Sequence, residues 1–259
     1  MDNSTTRRHQ PCWYRRPEIG MLAVNDGALM NSLIFWLLRK FFASHPSYFT
    51  MVELFLKANF TLQMGQLWDG LVVDMKRFSM DEYLSLLRYK ACYYGVYLPI
   101  TLAMEYCEVS SDRNKSQVMD LAVDIGQYFQ IQNDFLDVFG DTALTGKDGT
   151  DIEEKKFAWV ICAALSRCNA TQRRILETSY GKWDNNHAAH VKQVFQELHM
   201  HKVYQDFEET QSRKIQQKIA AIDESDGLKR HIISGVFSGA KKGREYRGIV
   251  RNMESSYAF

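Results

Sequence analysis

Gln130-Ile131-Gln132-Asn133-Asp134-Phe135-Leu136-Asp137-Val138-Phe139-Gly140-Asp141, followed by Gly146-Lys147-Asp148-Gly149-Thr150-Asp151, is the stretch on which the fold and the chemistry turn. It sets oxygen-bearing side chains at helical intervals in a segment that is otherwise apolar. On a helix running from Val118, at about 100° per residue, Val118, Leu121, Ala122, Ile125, Phe129 and Leu136 form a packing stripe. Gln130, Asn133, Asp134, Asp137 and Asp141 share a neighbouring sector about 100° wide. The acidic face therefore borders the buried face and can look into a cavity. A solvated helix face is the ordinary meaning of an acidic stripe. Here the flanking Lys147, Asp151 and Lys156 count against it, because cations beside acids suit an anionic ligand.

Spacing alone leaves two ligand sets open. Asp134 and Asp137, at i and i+3, could share a cation. Asn133, Asp137 and Asp141, at i, i+4 and i+8, lie about 6 Å apart per step and could do the same. Hard oxygen donors of this kind suit Mg²⁺, whose shell is usually completed by water and substrate phosphates. The expected ligand is a diphosphate held through magnesium.

Around this segment the pattern is helical almost throughout, with apolar residues at i, i+3, i+4 and i+7 and no alternating strand-like run. Helices are expected at about 18–43, 49–78, 80–108, 114–140, 152–168, 171–180, 184–199, 202–222 and 226–240. The 259 residues, 46% of them apolar, include four prolines and no linker-like stretch, so one domain over 1–259 is expected. The fold class is all-α, with any site lying between helices.

A net charge of +1 argues against nucleic acid as a partner. The longest apolar run, Leu33–Leu38, is too short for a membrane span. Five cysteines without a CxxC spacing fit a reducing compartment, and a cytoplasmic protein is expected. The basic run from Lys241 leads into a glycine-containing stretch, so about 241–259 reads as a divergent, loose tail.

The quoted stretch resembles the second aspartate-rich region of farnesyl diphosphate synthases, in the trans-prenyltransferase (polyprenyl synthase) family. Thr6-Arg7-Arg8-His9-Gln10-Pro11-Cys12-Trp13-Tyr14 is similar to the segment after that family's first aspartate-rich motif. Gly65-Gln66-Leu67-Trp68-Asp69 and Tyr89-Lys90-Ala91-Cys92-Tyr93-Tyr94-Gly95-Val96-Tyr97-Leu98-Pro99 resemble two further blocks. The likeness runs from residue 1 to about 222. It implies an isoprenoid synthase-type helical bundle with a central cavity, Mg²⁺ as cofactor, prenyl diphosphates as substrates and a homodimer. The leading motif is Asp-Asp-x-x-Asp, and Asp2 corresponds to its last aspartate. The other two, and the helices before them, would precede Met1. An N-terminally shortened domain is expected, and whether it is a truncation or a short protein in its own right stays open.

Carried over by position, the resemblance implies Asp2, Asn133, Asp134, Asp137 and Asp141 as the metal set, with Asn133 in the place of an aspartate. It implies Arg7 for the allylic diphosphate and Arg8 for isopentenyl diphosphate. Lys90, Lys147 and Lys156 would neutralise the departing diphosphate. Gln66, Asp69, Tyr94 and Gln130 would line the cavity or support the metals, and Trp68 joins Tyr94 as an aromatic wall. The implied activity is condensation of an allylic diphosphate with isopentenyl diphosphate. Asn133, Ala91 in place of a usual threonine and Gln63 in place of a usual acid depart from the pattern. They leave open a terpene synthase that ionises a prenyl diphosphate, and also an inactive fragment or dimer partner.

Overall fold

The computed structural model describes residues 4–140, 145–146 and 149–241. The expected helices form, with shifted boundaries. They are α1 (Leu22–Phe42), α2 (Tyr48–Leu71), α3 (Met80–Leu87), α4 (Leu98–Tyr106), α5 (Asp112–Phe139), α6 (Trp159–Leu165), α7 (Ala170–Ser179), α8 (Asn185–Glu197), α9 (Met200–Ala220) and α10 (Arg230–Lys241). Local capping explains several starts. Ser79, Ser111 and Asp184 each accept a first-turn backbone N–H, and Asn169 closes a reciprocal capping box with Gln172.

Three expectations needed correction. The second helix stops at Leu71 and gives way to a 3-10 turn at Met75–Arg77, which Asp74 caps through the Lys76 N–H. The helix expected at 152–168 begins only at Trp159, because Lys155 takes a left-handed φ of 55° and Ala158 is extended. A small hairpin forms where no strand was expected. Its strands β1 (Thr6–Arg7) and β2 (Gln10–Pro11) pair antiparallel around Arg8 and His9, both at positive φ. That geometry is a two-residue I′ turn, a conformation glycine and asparagine adopt more readily than arginine or histidine.

Between α3 and α4 the chain winds as a π-helix over Arg88–Tyr97. Pro99 has no N–H to return to the preceding turn, which favours a change of winding there. This π-helix runs between α2 and α5. It passes Gly65 of α2, where a Cβ would stand 2.7 Å from the Lys90 nitrogen, and Gly126 of α5, where one would stand 2.7 Å from the Cys92 Cα. Two glycines thus set how closely three segments approach.

Helix α5 runs through both apolar clusters. One gathers Leu86, Ile131, Ile161, Leu176, Phe195 and Met200, and the other Ile100, Val118, Ile125, Ile215 and Ile233. Asp124 ties α5 to α9, with Lys214 Nζ 2.8 Å from Oδ1 and Lys218 Nζ 2.7 Å from Oδ2. Burial pushes this carboxyl up, but the two ammonium groups outweigh it and hold it below its usual value. The stripe read from sequence holds for Val118, Leu121, Ala122 and Ile125. Phe129, placed in that stripe, is exposed instead, and Leu136 is half-buried.

On α1 and α2 many large apolar side chains face outward, among them Leu29, Leu33, Trp36, Leu37, Phe49 and Phe60. At 56% and 70% exposed, Trp36 and Phe60 are not part of the intrachain core. An apolar patch of this extent marks a contact surface in soluble proteins.

Gly126→Ala should destabilise the fold by about 1–3 kcal/mol, because the new methyl meets backbone across the α5–π-helix crossing. Urea unfolding followed by helical circular dichroism measures this. Unchanged stability would mean that the crossing relaxes without cost.

Candidate active site

Asp134 is 6% exposed and both its oxygens are engaged. The Tyr83 hydroxyl from α3 donates to Oδ2 at 2.6 Å, and the Trp159 backbone N–H at the start of α6 donates to the same oxygen at 2.8 Å. Gln130 Nε2, one turn earlier on α5, donates to Oδ1 at 2.8 Å. Ala158 offers no capping side chain, so Asp134 caps α6 from another helix. Burial is the largest influence on this carboxyl and raises its pKa above the ordinary value, while the Tyr83 and Trp159 donors pull the other way. Burial, then Asp134, raises the Tyr83 hydroxyl well above its usual pKa, so it stays protonated and able to donate.

Asp69 on α2 is the second buried acid of the region, at 8% exposed. Its Oδ2 lies 2.8 Å from Lys90 Nζ on the π-helix and 2.9 Å from Lys156 Nζ, just before α6. Its Oδ1 has no hydrogen-bond partner among the described residues. The two ammonium groups are therefore less than about 6 Å apart. At an effective dielectric constant of about 20 their repulsion would be about 3 kcal/mol without the shared carboxylate. Two cations thus converge on one carboxylate oxygen, an arrangement that places two ammonium groups side by side.

Asp137, one turn beyond Asn133, accepts the Thr150 and Asp151 backbone N–H groups on Oδ1, each at 2.9 Å. This anchors the chain returning from α5. A Cβ at Gly149 would stand 1.8 Å from the Asp137 carbonyl oxygen, so only glycine fits there. The N-terminal hairpin joins the same region, with the His9 N–H donating to the Gly146 carbonyl at 3.1 Å. Arg7 and Arg8 on that hairpin are exposed. The sequence-expected residues Lys90, Lys156 and Asp69 thus come together, as do Gln130 and Asp134. Half-buried Trp68 packs edge-on against Tyr89, with ring centroids 5.8 Å apart, and Tyr94 and Gln66 are half-buried. Asp2, Asp141 and Lys147 lie outside the described residues.

Asp134, expected as a ligand, is a buried structural acceptor with three donors, and Asp137 spends Oδ1 on backbone. Asn133 is neutral. No group of three His, Cys, Asp or Glu side chains converges among the described residues. A hard-cation shell ordinarily needs several open oxygen donors, and Asp2 and Asp141 of the expected set lie outside the described residues. Sequence reading also missed two functional parts, the Tyr83 hydroxyl and the Trp159 backbone N–H. No local signal marks either, because they lie 51 and 25 residues from Asp134.

The family model described as polyprenyl synthetase matches residues 1–198. The chain is 39% identical over 239 residues to the farnesyl pyrophosphate synthase of Schizosaccharomyces pombe, covering 90% of this chain and 69% of that protein. It is 37% identical over 247 residues to the farnesyl pyrophosphate synthase of Saccharomyces cerevisiae, covering 93% and 70%. Among solved structures it is similar to T. brucei farnesyl diphosphate synthase complexed with a bisphosphonate. That match has a TM-score of 0.88 and 26% identity and covers 93% of this chain and 72% of that one.

Tyr83→Phe removes one donor from a buried carboxylate and should cost about 1–3 kcal/mol of stability. Chemical denaturation of the variant beside the unaltered protein tests this. A loss below about 0.5 kcal/mol, the scatter of ordinary surface changes, would show that Asp134 does not depend on Tyr83.

Proposed function

The chain belongs to the polyprenyl synthetase family, and on that footing we propose that Lys90 and Lys156 grip the diphosphate of an allylic substrate. The protein is a prenyltransferase that condenses an allylic diphosphate with isopentenyl diphosphate. The observation that carries the site assignment is the convergence of two ammonium groups on one buried carboxylate oxygen.

Ionising the allylic C–O bond puts negative charge on the departing diphosphate. Positioned ammonium groups in a partly buried site stabilise that charge as it develops. Arg7 and Arg8 stand on the hairpin fixed to the Gly146 loop, and we assign them to the two diphosphate groups. Gln66 lines the cavity, and Trp68 and Tyr94 form an aromatic wall that favours a carbocation over water. Gln130 acts through Asp134. A divalent cation accompanies the chemistry of this family, and Mg²⁺ is the ion proposed; when bound it supplies Lewis-acid stabilisation of diphosphate oxygens. Asn133 and Asp137, with Asp2, Asp141 and Lys147 outside the described residues, are the remaining candidates around it.

The outward apolar residues of α1 and α2 support a homodimer through that face. No described helix is long and apolar enough to cross a membrane. Five unpaired cysteines support a working site in the cytoplasm.

Asn133 favours a second reading, a terpene synthase on the same scaffold, because a neutral amide stands in the acidic row. Labelled geranyl diphosphate with Mg²⁺ decides between them. The expected product is a longer prenyl diphosphate formed only when isopentenyl diphosphate is added. A volatile hydrocarbon or alcohol made without it would establish the terpene reading, and silence under both conditions would favour the inactive partner. Lys90→Gln should lower turnover roughly 100-fold. Light scattering should give twice the mass of the chain, and Trp36→Glu should shift it toward one copy. Unaltered mass in that variant would remove the α1–α2 face from the interface.

A further inference from the structure

Three elements that are distant in sequence meet at a single oxygen atom. Asp69 Oδ2, from α2, is shared by Lys90 of the π-helix at 2.8 Å and by Lys156 of the segment before α6 at 2.9 Å. The side chains of the two lysines are 15% and 22% exposed, so each reaches a partly open space, while that of Asp69 is 4% exposed. One oxygen thus contacts both cations, and the other, Oδ1, has no hydrogen-bond partner among the described residues.

We propose that Asp69 is the positioning residue of the diphosphate site: it pins the Lys90 and Lys156 ammonium groups side by side, so that a diphosphate meets two preset donors. This rests on the assignment of those lysines to the diphosphate. An ammonium carries three donors, and the contact with Asp69 takes one from each. Long lysine stems lose considerable rotamer freedom on binding, and a carboxylate that fixes both beforehand lowers that cost. Asp134 cannot take its place. Asp134 is the carboxylate whose field Lys90 also feels, but its oxygens already take Tyr83, Gln130 and Trp159.

The sign of one effect separates this role from a bystander's. A carboxylate beside two cations opposes an incoming anion by charge alone. If that were all, Asp69→Asn would tighten anion binding. Positioning requires the opposite.

Calorimetric titration of the whole chain with inorganic diphosphate tests the idea, with helical circular dichroism confirming the fold of each variant. Asp69→Asn should bind roughly tenfold more weakly than the unaltered protein. In a Lys90→Gln background the same change should cost less than about threefold, since half of what Asp69 holds is gone. Asp69→Glu keeps the charge but moves it by one methylene, so it should also bind more weakly, and it carries the test if the asparagine variant does not fold. In steady-state assays Asp69→Glu should raise KM for the allylic diphosphate more than it lowers kcat. Equal or tighter diphosphate binding by Asp69→Asn, or unaltered affinity in Asp69→Glu, overturns the proposal. If the unaltered chain and Lys90→Gln bind diphosphate alike, the lysine assignment itself falls, and this inference with it.

Discussion

The structure around the site depends on one buried carboxylate. Asp134 accepts Tyr83 from α3, Gln130 from its own helix and the first N–H of α6, so three helices are fixed at one point. An acid removed from water this far is tolerable only when its lone pairs are filled. Once filled, it leaves little choice in the arrangement of its donors. Helix α6 cannot start earlier or shift sideways without orphaning the Trp159 N–H. Lys156, three residues before Trp159, is carried to Asp69 by that anchorage.

The two buried acids of the region therefore have contrary employments. Asp134 faces neutral donors and closes on itself, whereas Asp69 faces two cations. The first is an element of architecture, and the second is proposed as one of recognition. The π-helix connects them, because it carries Lys90 past Gly65 toward Asp69. Rare helical winding of this kind recurs at functional sites, where a side chain must leave the regular register.

Asn133 acquires its weight in this setting. A row of three carboxylates could lose one and keep two open. Here Asp134 is turned inward and Asp137 uses one oxygen to hold the Thr150–Asp151 backbone. The neutral amide at 133 therefore stands where, among positions 133, 134 and 137, the side chain is least committed to holding the fold. That is why the chemistry assigned to this chain leans on lysines that the geometry shows rather than on a complete acidic shell.

The all-α class and most helices were legible in the sequence, since helical periodicity is a local property, whereas Lys90, Lys156 and Asp69 were named only through the family resemblance, and the structure brings these three together. The sector assignment on α5 was right in placing the acids next to the buried face, yet it treated Asp134 and Asp137 as equivalent. Sequence spacing fixes direction around a helix and says nothing about which donors arrive from elsewhere. The end of α2 at Leu71, the late start of α6 and the Arg8–His9 turn likewise escaped a periodicity reading, because each follows from a cap, a left-handed residue or a distant carbonyl. By itself the sequence determined a helical protein with an acidic and a basic motif suited to a diphosphate. Only the tertiary structure decided which acid holds the fold and which holds the lysines, because that depends on donors brought from 21 to 87 residues away.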